Sequence, residues 1–171
     1  MIVRSAIPTD AEAIATVHVR SWQAGYRGLM ADELLDGLSA AERVPRWRDA
    51  VAGHAEPGLL LVAEHGTGVA GFCAVAEPSR DEDADPDVAE IGAIYVDPDH
   101  WRVGVGAALM EAALEHLGSG DWREVTLWVL EDNDAAIAFY ERFGFAPDGA
   151  ENFYEGSGTT GIRLRRRLDG R

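Results

Sequence analysis

The stretch Asp99–Leu117, DHWRVGVGAALMEAALEHL, decides how the chain folds. Gly104 and Gly106 run directly into apolar residues at helical spacing, so a glycine loop opens an amphipathic helix. Such loops offer backbone N–H groups to an anion, and the helix adds the positive end of its dipole. A Rossmann fingerprint would need a third glycine where this chain has Leu109. Its first glycine should also sit in a tight turn beside a strand, yet Gly104 comes eight residues after the strand end IYV. The acidic ribose ligand of that motif would fall at Asp121–Glu124, before the next strand begins. A P-loop needs a lysine, and all 15 basic residues are arginine. What remains are the amides of Arg102, Val103, Gly104, Val105, Gly106 and Ala107, enough to wrap a diphosphate, with the Arg102 side chain adding charge. A plain helix start, with glycines for packing, is the competing reading.

Outward from this loop the chain reads as alternating elements. MIVRSA is a first strand, followed by a helix over Asp10–Gly25 capped at Thr9 or Asp10. The segment ADELLDGLSAAERVPRWRDAVAG is helical and breaks near Pro45. GLLLVAEH and GVAGFCAVAEP flank the turn GTG as an antiparallel hairpin. SRDEDADPD has no apolar content apart from Ala84 and reads as a solvated, mobile loop. VAEIGAIYV is a strand apolar enough to be buried on both faces. After the glycine-loop helix come a strand, WREVTLWVL, a helix, NDAAIAFYERF, and two last strands ending in TGIRLRRRL, whose arginines read as solvated. The pattern implies one domain over residues 1–171, an α/β chain with a mixed sheet flanked by helices.

Composition narrows the function. The formal charge of −15 repels nucleic acid and favours a cationic small molecule or a basic peptide. The absence of lysine excludes Schiff-base and lysine-nucleophile chemistry. No apolar run reaches the roughly 20 residues of a membrane span, and the N-terminus lacks a secretory signal, so a cytoplasmic location is expected. Cys73 is the single cysteine, mid-strand and more consistent with a buried thiol than a nucleophile. The five histidines show no metal-ligand spacing, so no metal is expected. EGSGT is not G-x-S-x-G, which leaves a serine hydrolase without support.

The block AEIGAIYVDPDHWRVGVGAALMEAAL resembles motif A of the GNAT superfamily of acetyl-CoA-dependent N-acyltransferases. IYVDP, Ile94–Pro98, matches its strand end, and VGVGA, Val103–Ala107, its loop. The usual Gln or Arg at the head of the loop is Trp101, followed by Arg102; Trp101 is expected to pack. NDAAIAFYERFGF, Asn133–Phe145, resembles motif B, and HVRSWQAGYRGL resembles an N-terminal W-x-x-x-Y-R-G phrase of the family. The resemblance implies a mostly antiparallel seven-stranded sheet whose fourth and fifth strands splay apart to admit pantetheine. It implies acetyl-CoA held by the backbone of Ile94, Tyr95 and Val96, by residues 102–107 and by Asn133, which is also the natural N-cap of its helix.

Tyr140 then falls where the family has a general acid beside the sulfur; core packing is its other reading. Glu90, fourteen residues before Gly104, matches a catalytic glutamate of some branches. A carboxylate in an apolar strand is suited to act as a base, whereas a solvated charge at the strand start is the alternative. The family's second base position holds Trp128. Trp22, Tyr26 and Arg27 are expected to line the acceptor pocket, although an aromatic stripe such as His18–Trp22–Tyr26 is more often core than site. The resulting expectation is direct acetyl transfer to a primary amine of a small molecule or peptide N-terminus, with the oligomeric state open, a homodimer included. A non-catalytic acyl-CoA-binding module and a nucleotide-binding oxidoreductase are the rivals.

Overall fold

The computed structural model describes residues 1–53, 58–66 and 68–168. Strand β1 (Ile2–Ser5) leads through a 3-10 turn at Pro8–Asp10 into α1 (Ala11–Gly25), then α2 (Asp32–Asp36) and α3 (Ala40–Val51). The hairpin β2 (Gly58–His65) and β3 (Gly68–Ala76) follows, then β4 (Val88–Val96), α4 (Val105–Gly118), β5 (Glu124–Leu130), α5 (Asp134–Arg142), β6 (Ala146–Tyr154) and β7 (Thr159–Arg167). Thr67, the middle of the expected GTG turn, and residues 169–171 of the tail lie outside the described residues. The strands form one sheet in the order β1-β2-β3-β4-β5-β7-β6, antiparallel except for the β4–β5 pair.

Two apolar layers hold the sheet. On one face Leu109, Met110, Ala113 and Leu117 of α4 pack on Cys73, Ile91, Leu127 and Leu164, and α5 adds Ile137, Phe139 and Tyr140 at the margin. On the other face Ile14 and Ala15 of α1 and Trp47 of α3 cover Val62 and Phe72. The i, i+4, i+8 recurrence of Leu109, Ala113 and Leu117 is the helical periodicity of the opening stretch made solid.

Several expectations about local structure are revised. The helix break falls at Gly37–Ser39, not at Pro45, which lies inside α3. Proline there forfeits the one N–H that would reach back to Ala41, and the buried Trp47 anchors the helix beyond it. Asp10 does precede α1, but its carboxylate does not cap the helix. It accepts from Arg4 Nη1 at 2.7 Å and from the Ile7 N–H at 2.8 Å. β4 is deeply buried only over Val88–Ile91 and opens beyond Gly92.

The acidic segment after β3 is largely exposed, as expected, but it is tied down at Asp81 and Asp83. Asp81 accepts from Trp128 Nε1 at 2.9 Å, and Arg163 reaches Asp81, Asp83 and Asp148 at 3.1, 2.6 and 2.7 Å. Strand alternation sets Arg163 and Arg165 on one face of β7, where acids meet both. Arg163 is thus 5 % exposed, not solvated as the tail's pattern suggested.

Candidate active site

β4 and β5 pair for only four residues each, Val88–Ile91 with Glu124–Leu127. Beyond Ile91 and Leu127 the two strands pair no further, so the sheet is split between Gly92–Val96 and Trp128–Leu130. The split begins at a bulge. Against β3, Ala93 lies opposite Ala74 and Ile91 opposite Val75, which leaves Gly92 as the extra residue. A Cβ there would stand 2.4 Å from Arg80 Nη2, so a larger residue would have to push the guanidinium aside.

The bulge also reverses which face each side chain takes. Ala89, Ile91, Ile94 and Val96 face the α4 layer, whereas Ala93 and Tyr95 face the α1–α3 layer. Glu90, of opposite parity to Ala89 and Ile91, therefore shares the α1–α3 side with Tyr95. The sequence reading had given Tyr95 only a backbone part.

At the far end of β4 the chain turns through Pro98–His100 into the glycine loop. Arg102 has φ +61° and Gly104 φ +91°. The first amide of the segment to donate to a backbone carbonyl is that of Ala108, to Gly104 at 3.0 Å. Among the described residues the six amides 102–107 bond to no protein acceptor. α4 carries no acid in its first turn, unlike α1, α2, α3 and α5, so its positive end is not neutralised. Arg102 and Val103 are exposed. This cradle, at the mouth of a split sheet, fits an anionic diphosphate with an arm laid along β4, as coenzyme A requires. Gly104→Val is expected to raise the Kd for coenzyme A about tenfold or more by calorimetry. A β-branched residue at φ +91° is strained by about 1–3 kcal/mol and must move the loop. An unchanged Kd removes the loop from binding.

Trp101 does not pack into the core. It is 43 % exposed, and its indole N–H donates to the Val96 carbonyl at 2.8 Å. Asn133 caps α5, its Oδ1 accepting from the Ala136 N–H at 3.2 Å. Tyr140, late in α5, packs against the α4-side core beside Phe139 and Phe145. Burial, together with the neighbouring Tyr95 and Cys73, pushes its phenol above the usual range. No hydrogen bond ties the Tyr140 hydroxyl to another described residue. Burial raises the Cys73 thiol to about 12, which fits an inert side chain.

On the α1–α3 side the aromatic stripe is part core and part wall. His18 is buried, stacks on Tyr95 at 5.2 Å and accepts from Trp47 Nε1 at 3.2 Å. Burial, with Arg43 and Arg46 nearby, lowers its pKa to about 3 and keeps it neutral. Trp22 and Tyr26 are half-buried, ring edge to face at 5.1 Å. The chain has four tyrosines, and Tyr26 lies within electrostatic reach of the other three, Tyr95, Tyr140 and Tyr154. Arg27 is exposed and turned to α2, where it pairs with Asp32 and Asp36 at 2.9 and 2.8 Å.

Glu90 is buried, but its surroundings are not the apolar ones expected. Arg80 Nη2 donates to Oε1 at 2.6 Å, while Arg80 Nε and its backbone N–H donate to Oε2 at 3.1 and 3.0 Å. Glu90 pairs in register with Thr126, one position before the strands part. Among the described residues no group of three or more His, Cys, Asp and Glu is placed to hold a metal. No helix is long and apolar enough to cross a membrane.

A split between parallel β4 and β5 in an otherwise antiparallel sheet, closed at one end by an amide cradle, defines an acyl-CoA acetyltransferase fold. Residues 18–145 match the Acetyltransferase (GNAT) family, and the chain belongs to that family, as an acetyl-CoA-dependent acetyltransferase. It is 29 % identical to the N-acetyltransferase YuaI of Bacillus subtilis, over 95 % of this chain and 88 % of YuaI. It is 32 % identical over 80 % of its length to a mycothiol acetyltransferase of Actinosynnema mirum, of which it spans 41 %. Its fold matches that of PaiA N-acetyltransferase from Thermoplasma acidophilum, solved with coenzyme A, at a TM-score of 0.74 and 19 % identity, covering 97 % and 98 % of the two chains.

Proposed function

We propose that the protein passes the acetyl group of acetyl-CoA directly to a primary amine of a small molecule or a peptide N-terminus, within a ternary complex. The observation that supports this reading is the split between β4 and β5 with the amide cradle of residues 102–107 at the end of β4. Ile94–Val96, residues 102–107 and Asn133 hold the donor, which supplies an activated thioester. Tyr140 donates a proton to the departing sulfur, and Glu90, oriented by Arg80, takes one from the amine through water. Trp22, Tyr26 and Tyr95 form the acceptor wall.

The test is a screen of amines with acetyl-CoA, read by thiol release; coenzyme A binding without turnover of any amine overturns catalysis. That outcome would favour a non-catalytic acyl-CoA-binding module, a reading for which the engagement of both Glu90 oxygens by Arg80 is the one favourable observation. Glu90→Gln is expected to lower kcat/KM about 10- to 100-fold, most at low pH, where the amine needs help to lose its proton. A uniform small loss across pH would reduce Glu90 to an anchor for Arg80.

A further inference from the structure

The net charge of −15 suggests a cationic acceptor, but the local charges on the acceptor side point the other way. Between α3 and the outer face of β2–β4 runs a groove enclosing about 610 Å³, within the range of small-molecule sites. Its floor is apolar, with Leu60, Ala74 and Ala93, and its walls are Trp47 and Arg46 on one side and Arg80 on the other. Gly92 and Ala93, where β4 begins to leave β5, are among its lining residues. Among the described residues that line it are two guanidinium groups and no carboxylate.

α3 carries Arg43, Arg46 and Arg48 against Glu42 and Asp49. Arg43 and Arg46, at i and i+3, share a helix face, and neither has an acid within ion-pair distance among the described residues. Glu42 and Asp49 stand on the same helix yet do not reach them; Arg48, Arg102, Arg142 and Arg166 likewise meet no acid among the described residues, while Arg4, Arg20, Arg27, Arg80, Arg123, Arg163, Arg165 and Arg167 are paired. Arg43 is half-buried and lies 5.5 Å from the Trp22 ring centre; Arg46 lies 5.7 Å from that of Trp47. Cation–π contact leaves the N–H donors of each guanidinium unspent. The acceptor side therefore has a surplus of donors. Screening over about 8 Å at physiological ionic strength weakens the pull of the remote acidic surface at Arg46.

We propose that the acceptor is an aminocarboxylate with an apolar body: its carboxylate is held by Arg46, assisted by Arg43, its body lies in the groove, and its amine reaches the β4–β5 split. The inference rests on the reading of acetyl transfer to an amine and adds the acceptor's chemical class. A guanidinium binds a carboxylate in a two-pronged fashion, and the apolar floor selects the side chain.

Matched acceptors test it: leucine against 3-methylbutylamine, and phenylalanine against 2-phenylethylamine, in steady-state thiol release with acetyl-CoA. The unaltered protein should prefer the aminocarboxylate of each pair in kcat/KM. In Arg46→Gln that preference should fall about tenfold or more, the loss of one charge-assisted contact, and in Arg46→Lys it should be partly kept. Taking the ratio within each protein cancels the different basicities of the amines, and calorimetric binding of coenzyme A checks that each variant is folded. A preference for the plain amines, or a ratio untouched by Arg46→Gln, overturns the inference. Turnover of other amines but of neither pair also overturns it, and leaves acetyl transfer standing. Failure of every amine overturns both.

Discussion

Tyr140→Phe is expected to lower kcat about 100-fold or more while leaving the Kd for acetyl-CoA within about twofold. The substitution removes one oxygen and keeps the ring that packs beside Phe139 and Phe145. A thiolate leaving group has an ordinary pKa near 8.5, so at neutral pH its departure is eased by a proton supplied as the bond breaks. Burial raises the Tyr140 phenol above its usual value of about 10, which keeps the proton in place at every working pH. The kcat profile should accordingly show no alkaline limb from this residue below about pH 10. Single-turnover acetylation measures the chemical step directly, and a rate equal to that of the unaltered protein removes Tyr140 from catalysis.

Arg163→Met should destabilise the protein by about 3 kcal/mol, read from urea midpoints at pH 7. Its guanidinium binds three aspartates from two segments far apart in sequence and lies 5.7 Å from the Trp128 ring centre. Removing it leaves Asp81 without a cation and Asp148 with Arg165 alone. The same pairing makes stability acid-sensitive. Arg163 holds the Asp83 carboxyl below its ordinary pKa. Asp148 is lowered too: burial opposes this, but the Ala150 N–H, Arg163 and Arg165 outweigh it. Both contributions are complete above about pH 4, the unfolded value, and are lost as pH falls through the lower folded values. In the variant the slope of stability against pH below about 4 should be shallower. An unchanged slope would mean that these aspartates draw their stabilisation from elsewhere.

Much of this was legible in the chain. Gly104, Gly106, Leu109 and the missing lysine separate the loop from the commoner phosphate loops, and motif order around it marks the split sheet. The strands and the helices α1, α4 and α5 were found, because periodicity reports burial directly, whereas the division into α2 and α3 was misplaced at Pro45. Features that depend on register or on distant partners were not. The Gly92 bulge was signalled only by a glycine inside a strand, and without it the outward course of Tyr95 is unreadable. Glu90 looked like a carboxylate among apolar residues because Arg80 belongs to another segment. The acidic loop and the arginine tail each read as solvated, since each neutralises the other and neither carries its partner in its own window. Trp101 looked like a core residue by size, yet it spends its indole N–H on a neighbouring carbonyl.

That last contact bears on solubility as well as on ligand entry. By parting after Ile91, the sheet acquires an extra edge in its own middle, a row of unpaired backbone groups of the kind that recruits foreign strands. Natural edges are guarded by charge, proline or a covering side chain, and Trp101 does this for Val96. A guest that lies down along β4 as an added strand must either lift the indole or use the other groups. Trp101, which stands where the resemblance to motif A implies Gln or Arg, is therefore a guard on an internal edge, placed where a strand-like ligand would pass it.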